Sequence, residues 1–232
     1  MFFWDPMYFV FALPALLLAF WAQMRVRSAY NKYLRVPNSR GVSGSEAAER
    51  LLSSQGLSGV GIEGTPGTLT DHYDPRDKKL HLSQGVAYSK SVAAISIVAH
   101  EVGHAVQDNT QYAPMRLRTG IVGMVTVSSW LGPLIFIGGM LFNSSSLSWL
   151  GLILFSGSVV FALVTLPVEL NASHRALQML TTSGLVVTRE EEQGARQVLN
   201  AAAWTYVAAL VQVLSTLLYY VTILSGTGRR RR

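Results

Sequence analysis

Cysteine is absent from the chain. Disulfides and thiolate ligands are thereby excluded, and any metal site must draw on His, Asp or Glu. Charge is scarce as well. Asp, Glu, Lys and Arg make up 14% of the 232 residues, where an ordinary soluble domain carries about 25%. The deficit lies in long apolar runs; two of them, 119–142 and 147–167, hold no charged residue. A basic segment ahead of the first apolar run is also missing; Asp5 is the one charge there. A cleaved signal peptide would open on such a segment, so the run is expected to be an uncleaved anchor. Net charge is +6, but Arg229 to Arg232 supply four of those charges. That distribution does not describe a nucleic-acid binder. No internal repeat is visible.

Half of the residues are hydrophobic, and mean hydropathy is +0.30. Met7 to Ala22 (MYFVFALPALLLAFWA) reads as a first membrane span near the short limit, with Pro14 able to kink it. Thr119 to Phe142 and Leu147 to Pro167, joined by Asn143 to Ser146, read as a transmembrane helical hairpin. Gly120, Gly123, Gly138 and Gly139 are placed to let its helices approach. Ala203 to Leu224 reads as a fourth span, with Gln212 facing another helix. Arg25, Arg27, Arg116 and Arg118 put 25–118 and 169–202 inside the cell. The arginines of the tail, which begins at Gly226 and reads as flexible, vote the other way.

Residues His100-Glu101-Val102-Gly103-His104 organise the polar part of the chain. They lie in Ser91 to Gln107, a run without proline and with one glycine, which reads as a helix. Residues four apart share a helix face, so His100 and His104 can hold one metal ion. Glu101 stands one step round, where it can take a proton from water on that ion. Two imidazoles need a third protein ligand to leave one position open. Glu169, after the hairpin returns the chain to its starting side, is the best-placed candidate. Asp108 and His174 compete with it. Ser173, four residues beyond Glu169, can support a ligand through its hydroxyl.

Around this helix, Ser45 to Ser54 reads as a short amphipathic helix, capped by Ser43 or Ser45 and ended by Gly56. Gly59 to Glu63 has a weak strand pattern. Leu69 to Ser83 reads as a hairpin turning at Asp74 to Asp77, with Lys79 to Leu82 as its second arm. Ser83 can start a short turn, and Ser89 or Ser91 can cap the metal helix. The hairpin can serve as an edge for an extended peptide, with His72 and Tyr73 near enough to polarise a carbonyl. His174 to Thr182 is expected to be a short helix ended by Gly184. Arg189 to Gln193 is expected to be a charged approach to a last helix starting at Ala195.

Several stretches together resemble the YugP-like neutral zinc metallopeptidases of bacterial membranes. They are LTDHYDP at Leu69 to Pro75, Leu82-Ser83, SVAAISIVAHEVGHAVQ at Ser91 to Gln107, LPVELNAS at Leu166 to Ser173, and ARQVLNAAAWTYVAA at Ala195 to Ala209. The resemblance implies His100 and His104 as zinc ligands, Glu101 as the catalytic glutamate and Glu169 as third ligand. The wider membrane gluzincins carry E-x-x-A-D on the third-ligand helix. Here Glu169 and Ala172 fit that pattern, while Ser173 stands in place of the aspartate. Asn171 also departs from the aspartate expected in near relatives.

The expected fold is mainly α: a polytopic membrane protein with about four transmembrane helices and a small α+β zincin-like domain at the membrane face. Its expected parts are an anchor (1–24), a catalytic domain (25–118), the hairpin (119–168), a third-ligand helix with a polar connection (169–202), and a last span with its tail (203–232). The expected activity is zinc-dependent endopeptidase action on proteins or peptides at the membrane face. Zn2+ is the expected cofactor; the same ligands could serve non-haem iron. The bilayer and a polypeptide substrate are the expected partners, with no nucleic acid. The expected location is the bacterial inner membrane, with a cytoplasmic active site. The alternative is an assembly or chaperone-like membrane protein with a structural zinc, for which Glu101 would have no use as a base.

Overall fold

The computed structural model describes residues 6–229, and the chain is mostly helical. The order is α1 (Pro6–Tyr33), α2 (Gly44–Ser54), β1 (Gly61–Thr65), β2 (His72–Asp74), β3 (Lys79–Ser83), α3 (Gln84–Ala87), α4 (Val92–Asn109), α5 (Ala113–Leu141), α6 (Ser145–Thr182) and α7 (Arg189–Arg229). Four of these helices, α1, α5, α6 and α7, are long and apolar enough to cross a membrane.

The chain divides into two compact units. One comprises 22–115 and 168–204. Its sheet has the order β1-β3-β2, with β1 parallel and β2 antiparallel to β3. Alternation explains the sheet's two faces. Leu80 and Leu82 of β3 are buried together with Tyr73 of β2, which pairs with Leu80. His72 and His81 pair on the other face, their rings stacked at 4.7 Å. The turn between β2 and β3 is fixed by Asp74, which accepts from the backbone N–H and guanidinium of Arg76. That pairing holds the Asp74 carboxyl down at about 2. The strand expected at 59–63 lies at Gly61–Thr65 instead, where its backbone finds the β3 ladder.

The core of this unit gathers Leu51 and Leu52 of α2, Leu80 and Leu82, Ile95 and Val98 of α4, Val168 and Leu180 of α6, and Leu199 of α7. Each such side chain taken fully out of water contributes about 1.5–3 kcal/mol. Local sequence sets the helix ends. Ser43 and Glu46 form a reciprocal capping box on α2. The Ser91 hydroxyl accepts from Ala94 N–H and caps α4.

Four boundaries differ from expectation. α1 continues past the expected span, which ended at Ala22, to Tyr33. α6 runs unbroken through Pro167, so 169–182 is the end of the hairpin's second helix and not a separate element. α7 starts at Arg189 and includes the acidic stretch. Glu190, Glu191 and Glu192 suit a helix N-terminus, where the dipole is positive. Thr188 and Glu191 close a second reciprocal cap there. At its far end α7 extends through Gly226 to Arg229, helical where a flexible tail was expected; 230–232 lie outside the described residues.

Among the described residues, the second unit comprises 6–21, 116–167 and 205–229. Phe136 of α5 stacks on Tyr220 of α7 at 4.1 Å, and Phe155 of α6 meets the same ring edge-on. Glycines set the α5–α6 spacing, though not mainly the expected ones. A Cβ at Gly132 would lie 2.7 Å from Phe155 N, and one at Gly139 would lie 2.4 Å from Ser148 N. Gly120 and Gly123 face open space, so of the expected four only Gly139 sits at a close approach.

Candidate metal centre

α4 presents His100 and His104 on one face, their rings 4.8 Å apart and nearly perpendicular. α6 brings Glu169 against them. Its Oε2 lies 3.2 Å from His100 Nε2 and 3.3 Å from His104 Nε2. One ligand atom from each residue falls within 4.8 Å of the others. The three are 9%, 8% and 2% exposed, in the order His100, His104, Glu169. The competitors go elsewhere. His174 is exposed and outside this cluster. Asp108 accepts from the Tyr73 phenol at 2.7 Å and pairs with Lys78.

The close approach of the two helices depends on Gly103. A Cβ there would lie 2.8 Å from the carbonyl oxygen of Ala172. The glycine between the two histidines therefore has a packing role that the metal motif itself does not express.

The far ring nitrogens decide what the near ones can do. Gln107 is wholly buried. Its Nε2 donates to Val168 O at 2.8 Å and to Asn171 Oδ1 at 3.0 Å. Its Oε1 is thereby turned to His104 Nδ1, 2.9 Å away, which must be the donor. His104 Nε2 is left with its lone pair facing Glu169. The Ser173 hydroxyl stands 3.2 Å from His100 Nδ1 and can fix that ring in the same sense. Two nitrogen lone pairs and a carboxylate oxygen thus converge on one buried point. They repel one another unless a cation or a proton lies between them. The donor set is two imidazoles and a carboxylate, without thiolate, and it fits zinc with one position open. Burial pulls the His104 pKa down, but the Glu169 carboxylate more than offsets it and the net shift is upward.

Glu101 lies beside this cluster. Its Oε2 accepts the backbone N–H of Tyr73 at 3.0 Å. Burial pushes its carboxyl pKa up, as a proton acceptor requires. β2 is an edge strand of the sheet, and that one N–H of its outer edge is committed to Glu101. The Tyr73 side chain is turned to Asp108, and burial followed by Asp108 raises its pKa. His72 lies on the opposite sheet face against His81, with its Nδ1 at Thr70 O. It makes no hydrogen bond to the cluster. Gln107 escaped the reading of the sequence. The signal was an amide three residues after His104, in reach of its ring on a helix.

A family model described as "Putative neutral zinc metallopeptidase" matches residues 8–225. The chain is 48% identical over 218 residues to "Putative membrane protease YugP" of Bacillus subtilis (strain 168). That alignment covers 94% of this chain and 96% of the relative. No solved structure matches.

Proposed function

The chain belongs to the neutral zinc metallopeptidase family, and we propose that it is a membrane endopeptidase cleaving polypeptides at the membrane face. One observation carries the reading: a buried His-His-Glu cluster with a separate, desolvated glutamate held beside it. A structural zinc site would use a fourth protein ligand and has no need of a base.

His100, His104 and Glu169 would hold the ion. Bound zinc supplies Lewis-acid polarisation of a peptide carbonyl and makes water more acidic. Glu101 accepts a proton from water as the water oxygen adds to the carbonyl carbon. It then gives that proton to the departing amine nitrogen as the C–N bond breaks. Tyr73 N–H keeps one Glu101 oxygen occupied and leaves the other to carry the proton. A peptide laid along β2 would use the Tyr73 carbonyl on the same edge. Gln107 and Ser173 hold the two rings in the tautomer that binds metal. By the arginine distribution the site faces the cytoplasm. Cleavage of an unstructured reporter by the purified protein, lost with phenanthroline and restored by added zinc, is the expected result. A protein holding one zinc that cleaves no polypeptide in a broad panel would overturn the reading.

A further inference from the structure

Hydroxyls in apolar helices ordinarily fold back on the carbonyl one turn earlier. In the membrane unit Thr126, Ser129, Ser156, Thr216 and Thr222 all do so. Ser158 and Thr165 of α6 do not. Both are buried, at 8% and 7% exposure, and neither hydroxyl has a partner. Gln212 Oε1, on α7 beside Val213, is the other buried side-chain oxygen without a partner among the described residues.

Ser158 and Thr165 line the same cavity. It measures about 460 Å3 and lies between α5, α6 and α7; Val122, Val125, Phe161 and Val213 make most of its wall apolar, and Arg118 and Tyr206 also line it. An unpaired hydroxyl in apolar surroundings is costly, and two on one wall call for an occupant that pairs with both. They stand seven residues apart on one helix, or about 10 Å. An acyl chain fills an apolar cavity and its carboxylate can meet Arg118, but it carries no hydrogen-bonding group along its length to meet both Ser158 and Thr165. An intact helix has its backbone groups already paired. An extended peptide exposes unpaired N–H and C=O groups, and three of its residues span about 10 Å. We infer that this cavity binds an extended apolar segment of polypeptide through Ser158 and Thr165.

The inference rests on the peptidase reading and names its substrate class: chains with an apolar stretch that has left the helical state. Binding is measured on the full-length Glu101→Gln protein in nanodiscs, so that no turnover is needed. The probe is a short dye-labelled peptide of Leu and Val, followed by fluorescence anisotropy, with a dye-labelled fatty acid as competitor. The peptide is expected to bind and the fatty acid to leave it in place. Ser158→Ala with Thr165→Val should weaken binding roughly tenfold, the size set by two modest hydrogen bonds in apolar surroundings. Thr165→Ser, which keeps a hydroxyl, should retain most of it. Absence of peptide binding, displacement by the fatty acid, or equal binding by the double variant would each overturn the proposal. Failure of the peptidase reading looks different: the wild-type protein would bind the peptide through these hydroxyls and cleave nothing.

Discussion

Gln107 shows how much one side chain can settle. Its amide is spent on both sides, with the oxygen on His104 and the nitrogen on the backbone of the helix that carries Glu169. Gln107→Ala should therefore lower zinc affinity by about 10–100-fold while leaving all three ligands in place. Competitive chelator titration measures this. Glu169→Gln should cost more, because a neutral amide replaces the anionic ligand, whereas His174→Ala should keep full affinity. Full-affinity zinc in Glu169→Gln with loss in His174→Ala would move the third ligand. Zinc must also displace the proton that the raised pKa of His104 retains. The sign follows directly. Affinity rises with pH and levels off only above that raised pKa, so its half-point should lie above the ordinary imidazole value of about 6.5. Zinc titrations at a series of pH values test it.

At the scale of elements, the candidate metal centre is a crossing of two helices, and Gly103 sets their distance. Gly103→Val should push α4 from Ala172, destabilise the protein by about 1–3 kcal/mol and weaken zinc binding without touching a ligand. Paired thermal melts and zinc titrations would show both losses; a variant with unchanged affinity would remove Gly103 from the account. The meeting of His100 and His104 was legible in the sequence because it is local: four residues on one helix bring two rings together. Glu169 was legible because a carboxylate following a charge-free hairpin is conspicuous. Gln107 and Gly103 were not, since their partners, Val168 and Ala172, lie more than sixty residues away in sequence and only packing reveals them. Helix ends were misjudged for a related reason. Pro167 looked like a break, yet α6 passes through it, as apolar helices do where neighbouring groups take up the freed carbonyl. The acidic stretch before Ala195 looked like a surface approach, and its charges are what favour a helix start.

For the whole molecule, the four candidate spans were legible as charge-free runs of sufficient length, and the small sheet as a hairpin joined by one more strand. Their orientation is a separate question, and the arginines at 25, 27, 116 and 118 are the ground for proposing a cytoplasmic metal site with the C-terminus outside. Alkaline phosphatase fused after residue 232 should be active, and strong β-galactosidase activity from the same fusion point would contradict that topology. The central claim, a peptidase that binds zinc through three residues and moves protons through a fourth, is tested most directly by Glu101→Gln. The purified variant should hold one zinc per chain, as the wild type does, and its cleavage of an unstructured reporter should fall by about 10²–10⁴-fold. Cleavage at the wild-type rate by this variant, or loss of its zinc, would contradict the role assigned to Glu101.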